Sequence, residues 1–459
     1  MCYPSKTCSI GLLLCLALVQ LGSPAFSQES SAPSPPLSLS LEEAIRNALD
    51  KSPRLSAARF QVDASTAKIS QARSGLYPRI DFSESFARTN NPAQAFALRL
   101  NQEQITLRDF DPARLNDPAS LNNFASIFSL SMPIYDAGRI RIGLSQAKIG
   151  QEAASLSAER VRQEVITGVV ASYAAVLLAQ DQLGVVDQSI RTARANHGIV
   201  RSRHQSGLVV KSDLLRAEVR IAELEQNRLF VRSQIDVAMA ALSAAMGVDT
   251  GRSFQPVPFE AREAGPVGSV ETWLREALKN RPDLKQLKYR ERMAEEELKK
   301  AKMAHLPGLY LSGAYEMDTE DFSGTANNYA VGVVMRLNLF SGFGMEAKVQ
   351  EALADLQQMR ALVKEFALAV EVDTRRAFSQ ARSAYDRIQV AAAVLNQAEE
   401  GLRIVRNRYE NGLFTIVNLL DAEAALQQAR ASYYRSIYDR KVAMAMLHLA
   451  AGLMNEAFR

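Results

Sequence analysis

Between positions 308 and 317, Leu309, Leu311, Tyr315 and Met317 alternate with Tyr310, Ser312, Ala314 and Glu316. After a polar break, Tyr329, Val331, Val333, Met335, Leu337 and Leu339 alternate with Ala330, Gly332, Val334, Arg336 and Asn338. The same pattern occurs earlier: Ile80, Phe82 and Phe86 against Asp81, Ser83 and Ser85, then Phe124, Phe128, Leu130, Met132 and Ile134 against Ala125, Ser129 and Ser131. A period of two over about ten residues predicts strands with one apolar and one polar face, the pattern of an outer-membrane barrel strand. Half-buried hairpins of soluble proteins alternate too, but their exposed faces carry Lys and Glu; here the polar faces hold small Ser, Ala and Gly. Tyr77, Tyr135, Tyr310 and Phe340 fall near the strand ends, where interfacial aromatics belong. Glu84 falls on the apolar face and interrupts the pattern.

Each pair of strands leads into a segment of helical periodicity without proline, 138–206 and 343–411. About 65 residues at 1.5 Å each span about 100 Å, too long for one small globule. Val176, Leu183 and Ile190 recur every seventh residue, as do Val186, Ala193 and Val200; Ile388, Leu395, Leu402 and Ala391, Ala398, Val405 repeat both seams. Two seams on one helix predict neighbours on both flanks, a stave in a cylinder. Gly207 and Gly412 predict the C-caps, with antiparallel partner helices starting at Lys211 and Ile416.

The chain reads as one unit written twice. Residues 41–83 align without a gap to 270–312, matching Arg46, Pro53, Leu55 and Pro78 with Arg275, Pro282, Leu284 and Pro307; 133–247 align to 338–452, matching Arg203, Gly207, Leu208, Glu218 and Gly247 with Arg408, Gly412, Leu413, Glu423 and Gly452. The expected organisation is a first repeat over 28–249 (strand hairpin at about 77–135, helical hairpin 138–247), a Pro- and Gly-rich linker over 250–268, and a second repeat over 269–459 (strand hairpin about 308–340, helical hairpin 343–452). The first copy carries 24 extra residues in its strand-to-strand loop, about 88–122, which barrel topology puts outside the cell with the shorter loop 318–328. The fold class is α+β and mainly α. Four strands cannot close a barrel, and an open edge facing lipid leaves backbone groups unpaired, so strands of this kind require oligomerisation; three copies supply twelve.

Composition narrows the picture. A net charge of +4, from 54 basic and 50 acidic residues, offers no basic field for a nucleic acid. Lys6, the apolar run 10–21 and Ala25-Phe26-Ser27 match a secretory signal peptide over residues 1–27, with 28–37 a loose leader. Cys2, Cys8 and Cys15, the only cysteines, would leave with it. Leu12-Leu13-Leu14 before Cys15 lacks the small residue of a lipidation site, so no lipid anchor is expected. No later run of 18 apolar residues offers a membrane helix, so any membrane would be crossed by strands.

Signal peptide, duplicated strand and helical hairpins, and the tip sequence RYENGLFTIVNLLDAEAALQQAR at 408–430 together resemble the TolC-like outer-membrane efflux channels over essentially the whole exported chain. The resemblance implies a homotrimer with a 12-stranded barrel in outer-membrane lipid continuous with a 12-helix periplasmic tunnel, opened through a periplasmic adaptor and an inner-membrane pump. It also implies a periplasmic gate in which a Tyr before the turn Gly and an Arg and two Asp after it form closing contacts. Tyr409 matches the Tyr and Asp421 the second Asp, whereas Phe414 stands at the Arg and Asn418 at the first Asp. An Arg–carboxylate lock is therefore missing from that tip, leaving one acidic ring and a seal that relies on Phe414. The first-copy equivalents are His204, Val209, Asp213 and Arg216, of which Asp213 or Arg216 could join the constriction. Gly207-Leu208-Val209 and Gly412-Leu413-Phe414 place apolar residues at the tube end; an adaptor contact and burial against a neighbouring hairpin both fit.

Other signals carry little. Gly342-Phe343-Gly344 with Ala347 formally fits a dinucleotide fingerprint, but its strand alternates and its helix is too long, so it reads as a strand-to-helix bend. His197, His204, His305 and His448 lack ligand spacing, the Met residues sit at core spacing, and Glu295–Lys299 and Glu296–Lys300 read as solvated i,i+4 pairs. No metal, cofactor or catalytic arrangement is expected. The leading expectation is a passive exit duct for small toxic compounds; protein export by a type I secretion system, and a soluble periplasmic coiled-coil scaffold, are the alternatives.

Overall fold

The computed structural model describes residues 37–251, 254–258, 265 and 267–457; the expected signal peptide and most of the leader lie outside them. In chain order the elements are β1 (Leu37–Leu39), α1 (Leu41–Lys51), α2 (Pro53–Ser74), β2 (Arg79–Thr89), α3 (Pro92–Asn101), α4 (Pro112–Asn116), β3 (Leu121–Tyr135), α5 (Arg139–Gln205), α6 (Lys211–Met246), β4 (Phe254–Pro256), α7 (Val270–Asn280), α8 (Pro282–Met303), β5 (Gly308–Thr319), β6 (Ala326–Arg336), α9 (Gly344–Glu410), α10 (Ile416–Ala451) and the single turn α11 (Met454–Ala457). The order in the two halves is the same except for α3 and α4 in the first and the single turn α11 at the end of the second.

The strands form one antiparallel sheet, β2-β3-β5-β6, with both edges open. Its apolar face carries the cross-strand ring pairs Phe82–Phe128 (4.9 Å) and Phe86–Phe124 (4.7 Å). Ile80, Tyr329, Val331, Val333 and Met335 on this face are mostly exposed, which a water-soluble sheet would not tolerate. Glu84 has a local partner: Ser126, opposite it in register, donates its hydroxyl to the carboxylate, and Met317 and Asn327 complete that row. Tyr310 departs from the interfacial expectation. It sits on the polar face, where Arg139 donates to its hydroxyl (3.2 Å) and the Arg336 guanidinium lies 5.5 Å from its ring. Tyr77, Tyr135 and Phe340 are exposed, as an interface belt requires. Residues 337–340, expected in the second strand hairpin, lie past the end of β6.

Each strand-to-helix bend uses two consecutive left-handed residues: Ala137 (φ +58°) and Gly138 (φ +80°), then Gly342 (φ +62°) and Phe343 (φ +63°). That geometry is what the glycine-rich stretch at 342–344 provides. Helix α5 packs against α6 on one flank and α10 on the other, and α9 packs against α10, giving a row α6-α5-α10-α9. The heptad residues Val176, Ile190, Val186, Ala193 and Val200 are buried, as two seams on α5 require. On α9 the corresponding seams are half-buried except Leu402, because the far flank of α9 has no neighbour within the subunit.

At mid-height α6 ends where α2 begins, and α10 ends where α8 begins. Both joints are made by left-handed glycines, Gly247 (φ +70°) and Gly452 (φ +73°). A Cβ on Gly247 would lie 2.5 Å from the Lys51 carbonyl oxygen, and one on Gly452 would lie 2.9 Å from the Arg281 backbone. The main apolar core surrounds the first joint, with Leu39, Ile45, Val169, Tyr173, Leu242, Met246 and Met454.

Four sequence expectations are corrected. Leu37, assigned to the loose leader, starts β1, and the linker 250–268 is not free: β4 within it pairs in parallel with β1, and the buried Tyr173 hydroxyl donates to both Leu39 and Val257 carbonyls. Backbone groups next to a buried core must be paired, and this short ladder pairs them. Second, Glu295 does not pair with Lys299; with Glu291 it takes Arg360 of α9 (3.0 and 3.3 Å), while Lys299 and Lys300 pair at i,i+3 with Glu296 and Glu297. Third, the loop 88–122 is largely helical. Fourth, α5 and α6 each contain an 18-residue window apolar enough to cross a membrane, because Ala- and Val-rich seams raise hydropathy without an unbroken apolar run. Half of the α5 window is buried among neighbouring helices; the α6 window is mostly exposed, on the flank the subunit leaves uncovered.

Gly247→Ala meets both a steric block and a left-handed backbone that costs an L-residue about 1–2 kcal/mol. Thermal melting of the detergent-extracted protein is expected to show clear destabilisation, whereas Gly184→Ala, at a helical position with open space, is expected to stabilise slightly.

Candidate functional site

The two helical hairpins end in the same backbone turn. The N–H of Leu208 donates to the Arg203 carbonyl and that of Gly207 to His204; Leu413 and Gly412 do the same to Arg408 and Tyr409. Gly207 (φ +74°) and Gly412 (φ +75°) supply the left-handed residue that lets the chain reverse. The second tip is better capped. Asn418 accepts from both the backbone N–H (3.1 Å) and the hydroxyl (2.8 Å) of Thr415, the residue before α10, whereas Val210 before α6 gives no side-chain cap. Asn418 is therefore held by its own helix start.

The apolar turn residues divide into two kinds. Leu208 (74% exposed) and Leu413 (73%) stand out into solvent. Val209 and Phe414 turn back and pack on a cluster of Val200, Leu402, Tyr409, Ile416 and Leu419 that joins both hairpins. Phe414 also lies under the Arg408 guanidinium (5.2 Å).

Tyr409 is buried in that cluster, and burial pushes its hydroxyl above the usual range against the opposing pull of Arg203. An arginine of the first tip reaches the second. Arg203 lies over the Tyr409 ring (5.0 Å) and donates to the carbonyls of Tyr409 (3.2 Å) and Glu410 (2.8 Å). A cation at the C-terminal end of α9 meets the negative end of its dipole and adds a donor to the Tyr409 carbonyl, which already accepts from the Gly412 N–H. This lock within one subunit was not foreseen. Its trace in the sequence was the alignment of Arg203 with Arg408, but nothing local shows that Arg203 reaches the other hairpin while Arg408 stays in its own.

Asp421 and Arg216 are both exposed and line opposite walls of one groove between α6 and α10, with Leu215, Val219, Val417 and Leu420. No ion pair joins them among the described residues. Asp213 is half-buried near Tyr409, whose ionisation it disfavours. His204 donates through Nδ1–H to the Val209 carbonyl (3.0 Å), a local turn contact.

One turn further from the tip, the four helices meet around Glu423, another residue the sequence did not single out. Asn196 of α5 donates to its carboxylate, Arg406 of α9 approaches to 3.9 Å, and Arg220 of α6 bonds Gln427 (2.8 Å) beside it. Burial raises the carboxyl above its usual range despite these partners. A raised folded-state value means the carboxyl favours the folded state most in acid, and that contribution is lost as pH rises through it. Glu423→Gln keeps an acceptor for Asn196 and removes the buried charge. Its melting temperature is expected to match the parent in acid and to exceed it above neutrality; a parent-like pH profile would show that the Glu423 carboxyl binds its proton equally well in the folded and unfolded chains.

The chain matches the model of the outer membrane efflux protein family twice over, at residues 44–248 and 273–453. It is 24% identical over 443 residues to the alkaline protease secretion protein AprF of Pseudomonas aeruginosa, covering 91% of this chain and 85% of that protein. It is 21% identical over 419 residues to the outer membrane protein TolC of Escherichia coli, covering 86% and 78%. The fold superposes on the Campylobacter jejuni CmeC outer membrane channel with a TM-score of 0.76 at 18% identity, over 90% of this chain and 85% of that one. With an exposed apolar sheet face above, a helical row below and the family model filled by both halves, the chain belongs to the outer membrane efflux protein family.

Proposed function

We propose that three copies of the chain close into a 12-stranded outer-membrane barrel continuous with a 12-helix periplasmic tunnel, forming the passive exit duct of an export complex. The observation that carries this reading is a pair of matched openings. The sheet ends at unpaired β2 and β6, and the helical row ends at uncovered α6 and α9. The two end helices of the row expose apolar side chains, Leu229, Phe230 and Val237 on α6 and Val372, Val390 and Val394 on α9. Neighbouring copies can satisfy both layers with one rotation, β6 against β2 and α9 against α6. Two copies would give eight strands, whose interior side chains fill; twelve is the next multiple of four that leaves a lumen. A tandem duplication explains why the family model fits twice and why both mid-height joints use the same glycine.

The exposed Leu208 and Leu413 at the tips then serve as contacts for a periplasmic adaptor, which links the duct to an energised inner-membrane pump. Tyr409, Phe414 and Arg203 hold each subunit's tips together, and Asp421, repeated around the axis and facing Arg216, forms the acidic constriction; Asn418 and Asp213 support the turns beside it. Small toxic compounds are the proposed cargo. The likeness to a protein named for alkaline protease secretion favours, as a second reading, the export of proteins through the same duct.

Outer-membrane fractionation is expected to yield a detergent-dependent trimer that dissociates on heating; a monomer soluble without detergent would refute the duct. In planar bilayers, Asp421→Asn is expected to weaken block by divalent cations, and unchanged block would remove Asp421 from the constriction. Arg203→Ala, which deletes a cation–π contact and two hydrogen bonds worth about 1–3 kcal/mol together, is expected to raise open probability.

A further inference from the structure

We propose that the first extracellular loop is a strap folded inward over the pore outlet, pinned by Gln102 to Asn123 and Asp318, and that it limits the size of what leaves the duct. This rests on the barrel reading, which makes the polar face of the sheet the pore lining. Apart from Gly308 at the far end of β5, burial on that face gathers at its loop end. Leu121, Asn123 and Ala125 of β3, Asp318 of β5 and Ala326 of β6 are all buried, with Asp318 fully so. Further down the same face, Ser83, Ser131, Ser312, Ala330 and Gly332 are exposed. What covers the loop end is α3, which packs across β3 and β6. A loop pointing away from the barrel would leave those residues open.

The pin is a chain of buried amides and one carboxylate. Gln102 donates through Nε2 to Asn123 Oδ1 (2.7 Å) and to the Asn122 carbonyl (2.8 Å); Asn123 donates to Asp318 Oδ1 (2.7 Å). Gln102 (6% exposed) and Asn123 (4%) are shielded from water where they meet, so their hydrogen bonds are not in competition with solvent while the strap is in place. The strap is also stiff. Arg99 pairs with Asp109 (2.8 Å), Thr106 donates to Asp109 through both its N–H and its hydroxyl (2.7 Å each), and Phe96 meets Phe110 edge-on. The Thr106 hydroxyl and N–H hold the Asp109 carboxyl below its usual range. A body this rigid, anchored at one point on the wall, is a fixed obstruction. The second strand loop is only residues 320–325, and its Phe322 packs on Phe124 of the apolar face (4.5 Å), so it adds nothing to the outlet.

The test uses the full-length channel in planar bilayers, reading single-channel conductance and the largest neutral polymer that enters from the extracellular side. Gln102→Ala is expected to raise conductance and shift the polymer cut-off to larger sizes. The sequence has no cysteine after Cys15, so the pair Gln102→Cys with Asn123→Cys can be bridged selectively. Unbridged, this variant is expected to behave like Gln102→Ala; a short thiol-reactive linker is expected to return conductance and cut-off to parental values. Parent-like values for both variants, with and without linker, would overturn the strap while leaving the duct intact. A parent chain that forms no channel would overturn both.

Discussion

A strand exposed to lipid has no water to satisfy its backbone, so every N–H and C=O must find a partner within protein. The rest of this structure answers to that constraint. A sheet of four strands leaves two edges, β2 and β6, and the helices below leave two flanks, α6 and α9. Both end helices also expose apolar side chains. In the proposed assembly, the rotation that pairs the sheet edges is the one that covers these helices.

Within that frame the periplasmic end is built from weak, separable contacts. The tip cluster around Tyr409 is apolar, and the charged groups that touch it do so through ring faces and carbonyls. Arg203 grips the end of α9 by its carbonyls, which are present whatever side chains follow the turn. Glu423 marks where the four helices converge with more charge than their packing can solvate, and its raised carboxyl reports that tension.

Periodicity made the regular parts legible. The lengths of α5 and α9, their ends at Gly207 and Gly412, and the restart at Lys211 and Ile416 follow from heptads and turn glycines alone, because a helix pattern sustained over many turns has few alternatives. Interactions that depend on a distant partner were not legible. Arg203 to Tyr409, Asn196 to Glu423 and Gln102 to Asn123 join residues with no shared period, and the bonds from Thr415 to Asn418 are a local contact that the sequence did not single out. The proline-rich stretch at 250–268 read as a spacer because turn residues say where a chain bends and not what it bends against. The loop at 88–122 was misjudged for a similar reason: short helices capped by Asn91 and Asp111 are too brief to establish a period.

The glycine joints at mid-height carry a mechanical consequence. Only α5 and α9 run from sheet to tip as unbroken backbone; the other two staves are stacks, α2 on α6 and α8 on α10, that meet by contact at Gly247 and Gly452. Tension or torque applied at the lower rim therefore passes upward through covalent bonds in half of the staves and through touching surfaces in the rest. Such a wall is stiff against compression everywhere and compliant to shear along two lines in each subunit.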